Sequence, residues 1–377
     1  MPSRLPNMLW RAVAKRASRP EAARVGEADF RFFGFRDRPE ATLFSRFDYL
    51  PTGRPPLLEL RDVLFLPDHR CLYDLRGARI EASKVTYVED GAPAWFNEEK
   101  FGQIERQTMP ERIAPPAKAA RIKDPVLFLG EVHDHYGHFI TDSMSRMWAL
   151  DELPAGLKVL FTPDPGLRLE TPLVRRLMGA VGIEETRLLR PDGPTVFDKL
   201  YCPIGALQLS RIYQRFEAVH RRAAEALMRG GVERPTAPVY LTRSGLQQGL
   251  RRLKGEAELE RRLEREGFVV VSPERLDLAS QMAIFNSPHP VVGPFGSAMH
   301  TVLFRTAERG AGLATLFPGK VPPRFMMVDA IKGAEAAYIR CIRFEGEESE
   351  GGSGWVLDPD AAMAHLDAAG LLARRSA

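Results

Sequence analysis

Val126-Leu-Phe-Leu129-Gly-Glu-Val-His133-Asp-His135-Tyr-Gly-His138-Phe-Ile-Thr-Asp142-Ser-Met-Ser-Arg-Met147-Trp148 is the stretch whose reading decides the fold. Its first four residues are continuously apolar, which suits a strand buried on both faces. From Phe139 on, the apolar residues Ile140, Met144, Met147 and Trp148 recur at helical spacing, predicting a helix over 138–150. A polar, titratable turn joins the two, the arrangement in which open α/β sheets carry their ligands. His138 and Asp142 stand four apart, so a helix places both on one face. His133, Asp134 and His135 crowd the turn itself.

The same alternation extends in both directions. Strands are expected at 157–161, 187–189 and 199–201, and helices over 170–181 and 211–229. Gly230-Gly231 ends the last of these, and a hinge is expected between there and Pro238. Beyond it come strands at 239–241, 268–271, 291–292, 313–317 and 337–340. Helices are expected over 255–266, over 277–286, from 297 and over 324–332. This rhythm predicts a parallel sheet in each half, covered on both faces, with a cleft between the halves. Upstream, 57–66 and 71–73 read as a small β-rich segment cut by tight turns, and 102–124 as a connecting loop. The organisation expected is an N-terminal arm over 1–40, a first α/β domain over 41–232, a second over 233–344, and a flexible linker with a terminal helix over 345–377.

Composition narrows the function. The 53 basic and 49 acidic residues balance to +4, which gives no footprint for nucleic acid. Cys71, Cys202 and Cys341 are odd in number and far apart, which suits a reduced, cytoplasmic protein. No apolar run reaches membrane-spanning length, and the N-terminus has no signal-peptide core. Residues 3–16 mix Leu5, Leu9 and Trp10 with Arg4, Arg11 and Lys15, so the arm could rest peripherally on an anionic membrane face.

Four features speak to chemistry. Gly293-Pro-Phe-Gly296-Ser297-Ala298 follows a strand and opens a helix, where a close-lying backbone and unpaired amides favour an anion such as phosphate. Arg243 leaves the first strand of the second half and Arg251 follows; their forked guanidinium groups suit a diphosphate. His133, His135 and His138 with Asp134 or Asp142 could instead ligate zinc and serve a hydrolase, although their spacing follows no zinc motif. Asp358-Pro-Asp360 looks like a metal-binding pair but opens a helix, and N-capping accounts for it.

Taken in order, these residues resemble glycosyltransferase family 61. The resemblance rests on the His138–Asp142 step, on Leu241-Thr-Arg243 followed by Arg251 and Glu256, and on Gln281. It continues with Val291-Val-Gly-Pro-Phe-Gly-Ser-Ala298, Val302-Leu-Phe304 and Leu316-Phe-Pro318, covering roughly residues 125–342. Phe295 stands where the family has a histidine, Ser297 where it has alanine, and Gly255 where it has asparagine. The resemblance implies a GT-B-like fold of two Rossmann-like domains and an inverting, metal-independent glycosyltransferase. It implies a nucleotide-sugar donor, a glycan or lipid-linked acceptor, and a role in capsular or surface polysaccharide synthesis. On this reading His138 and Asp142 are catalytic, one as base and the other orienting it. Arg243, Arg251, Gly293, Gly296, Ser297 and Ala298 hold the donor diphosphate, and Glu256 contacts the nucleoside. His133, Asp134 and His135 form the acceptor-side rim. A catalytically silent nucleotide- or glycan-binding relative is the alternative that Phe295 suggests.

Overall fold

The computed structural model describes residues 23–26, 30–35, 46–83, 110–133, 135–163, 171–208, 210–246, 252–306, 312–345 and 354–372. The basic arm at 3–16, Asp134 and Arg251 lie outside them.

The chain is a mixed α/β protein with two large sheets. Strand Val126–Val132 is buried along its whole length and lies inside a seven-stranded sheet. It runs parallel to Lys158–Pro163 on one side and to Thr195–Pro203 on the other. Leu57–Phe65 and Leu72–Asp74 add to this sheet as antiparallel strands. The β-rich segment expected upstream is therefore part of the first sheet. Leu57–Phe65 pairs onto Thr195–Pro203, itself longer than the strand expected at 199–201, and Leu72–Asp74 pairs onto Leu57–Phe65.

The second sheet has six strands, in the order Val269–Val271, Val239–Leu241, Val291–Pro294, Leu313–Phe317, Ala336–Arg340 and Arg31–Phe33, all parallel. The last strand comes from residues read in the sequence as an arm. Phe32 and Phe33 have a reason to leave that arm: Phe32 packs its ring 5.4 Å from Tyr338, and Phe33 lies against the apolar layer of this sheet. No local signal in a three-residue strand shows that the partner lies 300 residues away.

The two halves do not stand apart over an open hinge. Leu127, Trp148 and Phe216 from the first half belong to the same buried apolar cluster as Val239, Phe304, Phe317 and Tyr338 from the second. The Gln214–Leu227 helix lies across this seam, where Lys332 Nζ meets Glu217 Oε1 at 2.7 Å with both side chains nearly buried. Burial of this kind opposes wide opening, because separating the halves would return the shared apolar surface to water.

One buried acid in the second half gives a direct test of the packing. Asp329 lies under Tyr338, whose hydroxyl donates to Oδ2 at 2.7 Å. Burial pushes its carboxyl up to about 7, against the opposing pull of that hydroxyl and Arg305. An acid raised in the folded state contributes stability below its unfolded value and loses it as pH rises through the folded one. Between pH 6 and pH 8 the wild type is therefore expected to lose about 1 kcal/mol. Asp329→Asn stays neutral and should flatten that loss, which melting curves across the pH range would show; equal pH slopes for the two proteins would refute it.

Candidate active site

The site begins where strand Val126–Val132 ends. Gly130 adopts φ +79 at a register shift between Phe128 and Glu131, after which Glu131 and Val132 pair again with Thr162 and Pro163. His133 then donates its backbone N–H to Ser143 Oγ at 3.0 Å, and His135 stands as the N-cap of the helix Tyr136–Thr141. The single helix expected over 138–150 is divided: Asp142 closes the α-helical turns and a 3-10 segment runs from Ser143 to Asp151. The Asp142 side chain makes no capping bond there and is directed elsewhere.

His138 Nδ1 lies 2.8 Å from Asp142 Oδ2, as the four-residue spacing requires. The other carboxylate oxygen accepts from Arg324 Nη1 at 2.6 Å, and the same nitrogen reaches Thr141 Oγ1 at 2.8 Å. Burial alone would push the Asp142 carboxyl up, but Arg324 and His138 overcome it and hold the group at about 2. An ionised carboxylate can only accept, so Nδ1 carries the proton and the Nε2 lone pair is left for chemistry. The His138 side chain is 58% exposed against 19% for Asp142, so the imidazole is the accessible member of the pair.

The imidazole faces a cavity of about 820 Å³ between the two sheets, within the size range of small-molecule sites. His135, His138 and Arg176 line it from the first half, and Arg243, Gly296, Ser297 and Ala298 from the second. Leu173, Leu246 and Leu276 make one part of the wall apolar. The halves meet closely here. A Cβ on Gly137 would collide with Ser297, and Tyr136 and Thr301 share a hydroxyl bond of 2.8 Å.

Arg243 lies over the Phe295 ring, 5.1 Å from its centroid, and donates to the Phe295 carbonyl. Phe295 is in turn stacked 5.9 Å from Phe317 and edge-on to Trp355. Gly296 takes φ +148, a region that L side chains avoid, and its missing Cβ leaves room for the Arg243 guanidinium. The 3-10 segment Ser297–Phe304 then starts at the cavity wall.

Other expected site residues fall elsewhere. Glu256 does not line the cavity: it is 1% exposed, accepts from the Arg243 backbone N–H and the Tyr240 hydroxyl at 3.0 Å each, and has its carboxyl pushed up by burial. It braces the turn that carries Arg243, and nucleoside contact is not its place. Gly293 lies just behind the wall, against Leu241 and Met299. His133 is turned toward Glu131, at 3.7 Å, with its ring 5.3 Å from that of His138. Among the described residues, no group of three or more His, Cys, Asp or Glu side chains is placed to hold a metal ion. Asp358 accepts from the Ala361 backbone N–H as an N-cap, with Pro359 in the first turn.

Two residues escaped the sequence reading. Arg324 is a lone arginine after Pro322-Pro323, and the sequence gives no sign of its partner. A signal did exist, since it opens the helix after a strand of the second sheet, as Arg243 follows another. His300 is buried with its ring 4.3 Å from Phe325, and burial, with Arg324 nearby, drives its imidazole down to about 3. It is a neutral neighbour of the His138–Asp142 pair.

Residues 136–314 match the family model of glycosyltransferase 61. The matched segment starts at the first residue of the helix bearing His138 and ends within strand Leu313–Phe317. It takes in His138, Asp142, Arg243, Glu256 and the 293–298 turn, and stops ten residues short of Arg324. No curated protein matches the chain. The match supports glycosyl transfer as the chemistry, and the family implies a nucleotide-sugar donor and a glycan acceptor. Among the described residues, no helix is long and apolar enough to cross a membrane.

Proposed function

We propose that this chain is an inverting glycosyltransferase of GT-B type that needs no metal ion and acts from a nucleotide sugar on a glycan or lipid-linked acceptor. The observation that carries the reading is the exposed His138 imidazole, with its tautomer set by Asp142, facing a cavity whose opposite wall is built from Arg243 and the Gly296–Ala298 turn. In a single displacement the acceptor hydroxyl gives its proton to His138 Nε2 while its oxygen bonds the anomeric carbon. The bond from that carbon to the diphosphate breaks on the opposite face, and its electron pair leaves with the diphosphate. Arg243 and the first amides of the Ser297 segment take up the charge that develops there, a role shared with Arg251. In this scheme residues 41–232 form the acceptor side, 233–344 the donor side, and His135 belongs to the acceptor rim. The setting is cytoplasmic, in capsular or surface polysaccharide synthesis, with the basic arm against the membrane face.

Thermal stabilisation by UDP-, GDP-, dTDP- and CMP-linked sugars, with and without chelator, followed by donor hydrolysis, tests the reading. A chelator-insensitive rise in Tm with at least one of them is expected, and Arg243→Ala should abolish it. No rise with any nucleotide or nucleotide sugar would sink the proposal. Binding without turnover would favour the silent relative, for which the Phe295 packing beneath Arg243 is the supporting observation.

A further inference from the structure

Asp142 and Arg324 are 182 residues apart and come from opposite halves of the molecule. Pro323 sits in the first turn of the helix Pro323–Ile331, and Arg324 follows it at the seam. A carboxylate held only by His138 could rotate, turn to solvent or take a proton itself. Fixed on its second oxygen by Arg324, which is also tied to Thr141 Oγ1, it can do none of these.

We propose that Arg324 is a positioning residue that completes the general base from the other half of the molecule, holding Asp142 toward His138 Nδ1 so that Nε2 receives the acceptor proton. The proposal rests on the reading of His138 as the base. It makes base competence depend on the docking of the two halves, since neither half contains the whole His138–Asp142–Arg324 chain.

The surroundings leave this role to Arg324. His133 and His135 approach His138 from the strand end and the N-cap, with rings 5.3 and 5.2 Å away, and Glu131 stands behind His133. His300, from the Ser297 segment, adds no charge while its imidazole is neutral. Arg146 borders the same recess of about 30 Å³ as Asp142 and Glu131, but it donates to Cys202 Sγ and the Ala82 carbonyl. Arg324 bonds the carboxylate directly.

Histidine-selective NMR titration tests this without any substrate, with His138→Gln used to assign the resonance. Removing a cation beside a coupled pair lets the pair hold its proton more tightly, whichever atom carries it. In Arg324→Gln the His138 midpoint is expected to move up by about one pH unit, with Arg324→Lys intermediate, because an ammonium keeps the charge but loses the fork. With the nucleotide sugar that the wild type hydrolyses, kcat at pH 7 should fall about tenfold and the acid limb should move with the midpoint, while donor KM stays within about twofold. A folded Arg324→Gln with the wild-type midpoint and pH profile, whatever its loss of Tm, overturns the proposal and leaves a structural ion pair. If Arg324→Gln does not fold, Arg324→Lys decides: an upward shift with lowered kcat supports the role, and wild-type values for both overturn it. Full turnover in His138→Gln would defeat the base reading instead, while the measured midpoints would still report whether Arg324 holds Asp142.

Discussion

His138→Gln is expected to lower turnover by about 10²–10⁴-fold while leaving nucleotide-dependent stabilisation intact. The loss follows from geometry. His138 is the exposed member of the pair, and both oxygens of its partner are already engaged by Nδ1 and Arg324. Glutamine keeps the bulk and polarity of the position but has no atom that takes a proton near neutral pH. Asp142→Asn should be nearly as damaging for a different reason. An asparagine can present its NH₂ to Nδ1, which moves the imidazole proton to Nε2 and removes the acceptor lone pair. It also leaves the Arg324 guanidinium without its carboxylate at a half-buried seam, so a lower Tm is expected alongside the lost activity. Steady-state kcat with the hydrolysed donor, next to nucleotide thermal shifts, separates the two effects. His138→Gln turning over within a factor of about two of wild type would remove the imidazole from the chemistry.

Gly296→Ala is the second large effect, and it acts on the donor wall. The φ of +148 with ψ −177 at this position is a conformation that essentially only glycine adopts. Alanine there costs about 1–3 kcal/mol, or the loop must refold to avoid it. The added methyl would also meet the Arg243 guanidinium, so the strain moves the group proposed to hold the diphosphate. Two outcomes are therefore expected together: a Tm lower by several degrees without ligand, and loss of most of the nucleotide-induced shift. Gly319→Ala is the comparison, since a Cβ there meets nothing within 4 Å, and its stability should stay within about 0.5 kcal/mol of wild type. Equal nucleotide shifts in Gly296→Ala and wild type would show that the turn and Arg243 do not carry the donor.

Wherever the information is local, the sequence reading holds. The apolar runs at 126–129, 239–241, 291–292 and 313–317 located four strands, which in the structure span Val126–Val132, Val239–Leu241, Val291–Pro294 and Leu313–Phe317. The reading failed where a neighbour distant in sequence set the outcome. The helix expected over 138–150 breaks at Asp142, whose carboxylate is bonded to Arg324 from the other half. Glu256 looked like a ligand contact beside Arg243, yet its carboxylate points inward to Tyr240, and nothing in its neighbours along the chain reveals that direction.

The sequence by itself determined the α/β alternation and the His138–Asp142 pair. The pair follows from the chain's own geometry, since four residues along a helix bring two side chains to one face whatever surrounds them. Only the tertiary structure shows that His138 is the exposed member of the pair and that Asp142 is held by Arg324, 182 residues away. A contact over such a separation is made by packing two sheets together, which no local pattern encodes. The shared apolar core and the strand Arg31–Phe33 at the far edge of the second sheet belong to the same class of facts. They exist because buried surface and open sheet edges seek partners wherever in the chain those partners lie.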